Sequence, residues 1–248
     1  MVSHHMVDKA MQMADEELRE FLEQLAIQER ADLVCLLVEK GRHDFPGIAL
    51  PGVQLTGAQL KNINLEGANL TGANLEDANL ASGKLTGIKL TGANLVRAKL
   101  SFASMAGADL SHAQMSYAVM WRVDLSGSTM EGANLIRSSL ARADMSGANM
   151  RNAVLKVTTL TDANLSGADL KGSRLLGADL RGADLRSADL RNSNMRSVRL
   201  KGAEMEGIML DGANLRGATL RQMRSVEGPV SAEEVAALDA DGGSSNNR

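Results

Sequence analysis

The chain has 248 residues, of which 44% are hydrophobic but only 2% are aromatic, and its formal net charge is -3 at pH 7. A conventional globular core of this size uses more Phe, Tyr and Trp, so the composition argues against one. The abundant leucine excludes disordered and collagen-like classes, and no apolar run approaches the ~20 residues of a membrane-spanning helix. We therefore expect a soluble, folded protein.

The first residues and the single cysteine indicate the compartment. No basic region followed by an apolar stretch and a small-residue cleavage site opens the chain, so we expect no secretory signal. Cys35 is alone, which excludes an internal disulfide and a zinc site built from several cysteines. It lies in the apolar stretch DLVCLLVEKG, which is more typical of a packed helix residue than of a reactive thiol. These features favour a reducing, cytoplasmic compartment.

Residues 1–42 form the first predicted segment, a helical cap or leader. Two helices are expected there, the first within ADEELREFLEQLAIQ and the second over DLVCLLVEK, which should end at Gly41. One interpretation is a lid over the repeats that follow, because an open end of a repeat structure exposes backbone groups to strand pairing. The other is a helix that dimerises or binds a partner. In the first helix, within ADEELREFLEQLAIQ, four side chains share one face: Leu18, Phe21, Leu22 and Leu25.

A strict repeat of five residues begins at Phe45. From Phe45 to Leu220, all 36 positions whose numbers are divisible by five are apolar: one Phe, 27 Leu and 8 Met. We call these the Leu-type positions. The Ala-type positions lie two residues before each Leu-type position after Phe45; there are 35 of them, from Ile48 to Ala218, and they carry 22 Ala and 7 Ile or Val. A helix would spread this period around all its faces, and a long strand alternates with a period of two residues. Neither element fits the pattern.

The repeat fits a chain that makes a short extended piece and a corner every five residues. Residues two apart lie on one side of a strand, so the Ala-type and Leu-type positions both point inward and the residue between them points outward. Glycine is frequent just before the Ala-type position, as at Gly67 and Gly182, where a corner requires unusual backbone angles. Four such sides close a square coil of 20 residues.

This pattern resembles the motif of the pentapeptide-repeat proteins, Ala-(Asp/Asn)-Leu-x-x, over residues 43–222. The stretches ANL at 68–70 and ADL at 183–185 are clean copies, and residues 36–45 resemble the lead-in of bacterial, especially cyanobacterial, members. The resemblance implies an all-β solenoid, a right-handed quadrilateral β-helix of about nine 20-residue coils with a short helical N-terminal cap. At a strand spacing of ~4.8 Å, these coils would make a rod of roughly 43 Å.

The predicted rod is solid, so function is expected outside its core. Each buried Leu contributes on the order of 1.5–3 kcal/mol, and four of them per coil with Ala between them leave no room for a ligand. The carboxylates recur with the period of the fold, His43 and His112 lie far apart, and no catalytic, metal or phosphate-loop spacing occurs. We therefore expect that the protein is not an enzyme and that it has no catalytic residue, metal site or cofactor.

The charge of the rod bears on an alternative function. The resemblance implies that such a chain can be a DNA mimic that binds DNA gyrase or topoisomerase and confers quinolone resistance. A duplex mimic should present dense negative charge, whereas residues 43–222 carry 20 basic and 16 acidic side chains. In the stretch GADLRGADLRSADL at 177–190, outward Asp and Arg are expected to neutralise each other. A gyrase supercoiling assay separates this alternative from other functions.

A candidate binding patch follows from the coil length. Positions 20 apart stack on neighbouring coils, so two outward columns bring the only Trp, the only Tyr and one of three Phe together with four arginines. Rings beside guanidinium groups suit cation-π contacts of roughly 0.5–1 kcal/mol each, and Trp, Tyr and Arg are enriched in interface hot spots. These side chains either cover one another or dock a partner protein. The candidate residues are Arg97, Phe102, Tyr117, Val119, Trp121, Arg122, Arg137 and Arg142.

Residues 223–248 form the third predicted segment, a short helix over 231–239 followed by a disordered tail. The favoured function is a non-enzymatic protein–protein interaction or scaffold solenoid of the bacterial cytoplasm. Its partner is another protein of unspecified identity, or a second copy that dimerises through the cap or the end coils. Contact with a membrane or directly with nucleic acid is not expected.

Overall fold

The computed structural model describes residues 2–219, so the predicted segment at 223–248 lies outside the described residues. Three helices come first: α1 (His4–Gln12), α2 (Asp15–Glu23) and α3 (Ile27–Glu39). Beyond them, single-residue parallel bridges join every fifth residue to the one 20 positions later, from Asp44↔Asn64 to Arg199↔Thr219. Each coil therefore has four short sides, and the sides of successive coils stack into four parallel sheets.

Backbone hydrogen bonds tie each side to the neighbouring coil. The Leu50 N–H donates to the Asn69 carbonyl at 2.7 Å, and the Asn69 N–H donates to the Ile48 carbonyl at 2.9 Å. The corners are joined as well, since the Gly52 N–H donates to the Thr71 carbonyl at 2.8 Å. Because these bonds recur from side to side, the backbone polar groups are paired although each strand is very short.

The two periodic positions fill the interior of the solenoid. Every side chain at a multiple-of-five position from Phe45 to Leu215 is at most 6% exposed. The Ala-type positions between them are buried too, except for the half-buried Ala58 and Ala213. The prediction that both positions point inward is confirmed. The outer sides therefore carry most of the polar side chains of residues 46–215 and all of their aromatic side chains.

Every corner of the solenoid holds a residue in the left-handed backbone region. At all 35 positions that precede an Ala-type residue, from Gly47 to Gly217, φ lies between +53° and +76°. A positive φ at the third residue of a turn is typical of type II turns, and 19 of these residues are glycine, which adopts it without steric cost. The expected unusual backbone angles at the corners are confirmed.

Buried serines at Ala-type positions differ in whether their hydroxyl groups form hydrogen bonds. The Ser193 hydroxyl is buried without a hydrogen-bond partner among residues 2–219, whereas the Ser138 hydroxyl donates to the Leu135 carbonyl at 2.8 Å. An unpaired buried hydroxyl costs about 1–3 kcal/mol, so we expect Ser193→Ala to raise the free energy of unfolding by about 1 kcal/mol. Ser138→Ala should lower it by a similar amount. Chemical denaturation measures both, and equal effects of the two changes would contradict this difference.

The N-terminal helices agree with the predicted pair and add a third. Residues 24–26 interrupt the helical structure between α2 and α3. The sequence analysis did not predict α1, which packs against α3. Gly41 follows α3 with φ +95°, as expected of a C-terminal cap. Burial raises the pKa of the Cys35 thiol to about 11, so the thiol stays protonated at neutral pH. Of the four residues expected on one face, two are buried and two half-buried: Leu18 and Leu22, then Phe21 and Leu25.

Polar side chains of α3 fasten the helices to the first coil. Gln28 Nε2 donates to the Gln54 carbonyl at 3.2 Å, and Gln28 Oε1 accepts from the Gln54 N–H at 3.3 Å. This pair replaces the two bonds that a preceding coil would supply. Arg30, only 8% exposed, donates to the Ala49 carbonyl at 2.7 Å. Its other donors reach three carbonyls at and just beyond the end of α2: Leu22, Glu23 and Leu25.

Candidate protein-binding face

The predicted patch residues lie on one side of three successive coils and on the two corners that flank this side. The bridges Lys99↔Val119 and Val119↔Ser139 place the three coils in order. The structure thus brings the eight residues together, while their binding of a partner stays a prediction. We call this surface the arginine–aromatic face and define it by Arg97, Phe102, Tyr117, Val119, Trp121, Arg122, Arg137 and Arg142.

Two small clusters of rings and guanidinium groups form the face. The rings of Phe102 and Trp121 meet edge to face with centroids 4.8 Å apart, and the Arg122 guanidinium lies 4.9 Å from the Trp121 ring centroid. On the other corner, the Arg137 guanidinium lies 6.0 Å from the Tyr117 ring, and its Nη1 donates to the tyrosine hydroxyl at 3.4 Å. Phe102 and Tyr117 are nevertheless 52% and 49% exposed. The rings therefore keep large surfaces available for a ligand.

The two outer arginines are engaged by acids of adjacent coils. Arg97 donates to both carboxylate oxygens of Asp77 at 2.8 Å and also to Glu76. Arg142 Nε lies 3.6 Å from Asp162. Arg97 is therefore directed toward the acids, and of the two arginines stacked on either side of Tyr117 along this corner, only Arg137 lies against its ring.

The two central arginines differ from the outer ones. Among residues 2–219, neither Arg122 nor Arg137 forms a salt bridge, and their contacts are to the Trp121 and Tyr117 rings. A guanidinium on a ring still presents its donors to a carboxylate in the plane of its fork. The centre of the face therefore offers positive charge and apolar area together.

The corners beside this face carry side chains that the backbone disfavours. Of the 16 corner residues other than glycine, nine are Asn, Asp, Ser or His, which visit the left-handed region more readily. The remaining seven are Arg, Phe, Tyr or Val, and all of them lie on the two corners of the arginine–aromatic face. Of the 18 residues on the other two corners, 14 are Gly. The seven residues are Arg97, Phe102, Tyr117, Arg122, Arg137, Arg142 and Val157.

Val157 extends the face beyond the residues that the sequence analysis proposed. It lies one coil after Arg137 on the same corner, is 47% exposed and has φ +58°. Positive φ in a β-branched residue is an outlier that costs about 1–2 kcal/mol. The signal was present in the sequence, because Val157 occupies a position where glycine is the usual residue. Strained backbone of this kind often accompanies binding sites.

The strain predicts an unusual order of stability at Tyr117. Glycine at this corner relieves a left-handed strain of about 1–2 kcal/mol but costs 0.5–1 kcal/mol of chain entropy, so Tyr117→Gly should change stability by about 1 kcal/mol or less. Tyr117→Ala loses the same ring contacts and keeps the strain, so it should be the less stable variant. Thermal denaturation compares the two. An alanine variant at least as stable as the glycine variant would contradict the strain.

The alternating stretch at 177–190 forms a row of ion pairs. Each arginine there, and Arg191 after it, donates two side-chain hydrogen bonds to the aspartate two residues earlier. Lys171 Nζ also lies 2.7 Å from the Asp189 carboxylate. This mutual neutralisation is the arrangement expected from the sequence. The hydrogen bonds from Arg191 hold the pKa of Asp189 well below its usual range.

The low pKa of Asp189 predicts a pH effect. A carboxylate whose folded pKa is depressed stabilises the fold above its unfolded pKa of about 3.9, and that contribution is lost as the pH falls through the folded value. The thermal midpoint should therefore decline below about pH 4, and Asp189→Asn should show a shallower decline. Midpoints measured from neutral to acid pH test this. Parallel curves for both proteins would contradict it.

Other kinds of site find little support among residues 2–219. No group of three His, Cys, Asp or Glu side chains in this range is placed to hold a metal ion. None of the three helices is both long enough and apolar enough to cross a membrane. A groove of about 470 Å³ lies between α2 and the first coil, and its lining includes Leu18, Arg30 and Phe45.

Comparison with known proteins agrees with the repeat geometry. The family model for pentapeptide repeats matches in 8 copies over residues 54–92, 93–132, 122–156, 158–196 and 188–222. No curated protein matches the chain. Similar solved structures include HetL, a pentapeptide repeat protein involved in heterocyst differentiation regulation from Nostoc sp. PCC 7120. It shares 29% identity over 75% of this chain and 95% of its own, with a TM-score of 0.34.

Two further structures show the range of similar proteins. QnrB1, a plasmid-mediated fluoroquinolone resistance protein, is 17% identical over 81% of this chain and 99% of its own, with a TM-score of 0.46. A pentapeptide repeat protein from the Arabidopsis thaliana thylakoid lumen is 30% identical over 50% of this chain and 82% of its own, with a TM-score of 0.36. On the family match, which spans more than half of its residues, the chain belongs to the pentapeptide-repeat family, whose members fold as right-handed quadrilateral β-helices.

Proposed function

We propose that this chain is a non-enzymatic interaction protein of the bacterial cytoplasm and that the arginine–aromatic face docks a protein partner. One observation carries the proposal: all seven bulky corner residues at positive φ flank this single side. Each of them costs about 1–2 kcal/mol of strain that glycine would avoid. Random placement would scatter such residues over four corners. Their concentration is the distribution expected when side chains are kept for binding.

The chemistry of the face supports a protein as its ligand. Aromatic rings next to arginine are the groups that dominate the energy of protein interfaces. Val119, 44% exposed, lies between the two clusters and makes the surface continuous. A rigid side of stacked coils also holds these groups without loss of backbone entropy on binding, as is usual for solenoids.

The helices complete the proposed architecture. We assign α1–α3 as a cap of residues 1–42 on a solenoid of about nine coils over residues 43–222. The Gln28 and Arg30 bonds to the first coil support this role, since they occupy backbone groups that would otherwise invite strand pairing. The cap leaves the sides of the rod as the surfaces for partners.

Affinity capture with matched variants tests the docking face. The immobilised chain, the double variant Tyr117→Gly/Trp121→Ala and the control His112→Gly are each exposed to soluble extract of the host cell. His112 is an exposed corner residue with φ +58° on another side, so its change alters the backbone in the same way away from the face. We expect a protein that the unmodified chain and the control retain and the double variant loses. Identical retained proteins for all three would overturn the proposal.

A further inference from the structure

The arginine–aromatic face has a complementary segment within its own chain. Residues 231–241, SAEEVAALDAD, carry four carboxylates and no Lys or Arg. We call them the acidic segment. Its carboxylates suit Arg122 and Arg137, which form no salt bridge among residues 2–219. Its Val235 and Leu238 suit the exposed rings beside those arginines.

The last described residue lies on the same side of the solenoid as the arginine–aromatic face. The bridges Val119↔Ser139, Ser139↔Thr159 and their successors through Asp179 and Arg199 lead to Thr219, so the last described residue lies on the side that carries Val119. Five coil spacings separate the two residues, about 24 Å at 4.8 Å each. The 11 residues from 220 to 230 can span at most about 36–40 Å. The acidic segment can therefore reach the face.

We propose that residues 231–241 occupy the arginine–aromatic face of their own chain and must leave before a partner docks. This inference rests on the proposed function, because it assigns regulation to the same face. Basic groups nearer to Thr219 are less suited as the site, because no Phe, Tyr or Trp follows Trp121 in the sequence to accompany them. Arg181 and Arg199 also lie beside Asp179. Exposed charge pairs are weak one by one, but a tether raises the local concentration to the millimolar range. The segment would thus be bound in part and easily displaced.

The single tryptophan makes the occupancy measurable on the full-length chain. Trp121 is the only Trp, so tryptophan fluorescence reports on this face alone. The probe is quenching by acrylamide, a neutral molecule whose access a bound segment would restrict. In the variant Glu233→Gln/Glu234→Gln/Asp239→Asn/Asp241→Asn, we expect the quenching constant to rise about twofold, as release of a roughly half-occupied site would give. High salt should raise the quenching constant of the unmodified chain toward the variant's value.

Matched variants give the result that would overturn the inference. Arg137→Gln leaves the Arg122 guanidinium against the Trp121 ring and should raise the quenching constant in the same direction as the tail variant. Arg174→Gln/Lys89→Gln, which removes two positive charges from other sides, should not. Equal quenching of the unmodified chain and the tail variant would overturn the inference. Protection that grows with protein concentration would also overturn it, because the segment would then come from a second copy. The measurement needs no partner, so its failure leaves the capture experiment as a separate test of the docking face.

Discussion

Replacement of Arg30 by methionine is expected to lower the free energy that holds the helices on the solenoid by about 3–5 kcal/mol. The buried guanidinium donates to four carbonyls, with distances from 2.7 to 3.2 Å. Three of these carbonyls belong to the end of α2 and the turn after it, where a positive charge also stabilises the negative end of the helix dipole. Methionine fills a similar volume but leaves all four acceptors without this donor. Hydrogen exchange of the α2 and α3 amides measures the loss directly.

Two control variants separate the bonds of Arg30 from its charge. Arg19→Met removes an arginine of α2 whose side chain is 63% exposed and, within residues 2–219, forms a salt bridge only with Glu23, at 3.7 Å, so its effect should stay within about 0.5 kcal/mol. Arg30→Lys keeps the charge but cannot reach four carbonyls from one ammonium group. It should lie between the two. If Arg30→Met changes exchange no more than Arg19→Met, the guanidinium does not anchor the N-terminal helices to the first coil.

The repeat was predictable from the sequence because one rule governs all coils. A period of five with apolar residues two apart admits only a chain that turns every five residues, so burial at Leu70 and at Leu185 follows from the same geometry. The N-terminal helices follow no such rule. In the segment IQER, Gln28 and Arg30 look like the polar face of a surface helix. They bind the unpaired backbone groups at the edge of the first coil only because that coil lies next to α3.

The sequence predicts which residues of the candidate face stack along each corner, but not which side chains contact each other. Coil length alone places Tyr117 next to Arg97 and Arg137 along one corner. The direction of a long side chain depends on which neighbour attracts it more strongly, and Arg97 turns to Asp77 because a bidentate ion pair outweighs an exposed cation-π contact. The corner strain at Val157 was open to prediction, since the frame assigns every position before an Ala-type residue to a turn that needs positive φ.

Methionine is concentrated at the core positions of the coils that carry the arginine–aromatic face and of the coil next to them. Six of the eight methionines at Leu-type positions lie between residues 105 and 150, whereas every Leu-type position from 155 to 190 is leucine. Methionine is unbranched and adapts to irregular gaps, whereas leucine keeps a more fixed shape. The coils that carry the bulky corners therefore have the more adaptable interior. This difference allows the core to adjust to the strained corners, where a bulky residue and not glycine has a positive φ.

The final prediction concerns two buried leucines that occupy the same position in different coils. Leu140 and Leu180 are both 0% exposed, and the side chain one coil earlier at that position is Met120 for the first and Leu160 for the second. Leucine-to-alanine changes in well-packed cores cost about 2–5 kcal/mol, with the larger costs where the surroundings cannot collapse into the cavity. We expect Leu180→Ala to cost about 4–5 kcal/mol and Leu140→Ala about 2–3 kcal/mol. Denaturant unfolding of both variants measures the difference. A larger loss at Leu140 would show that the methionines of these coils are packed as rigidly as the leucines, and that the strain of the corners is borne by the backbone alone.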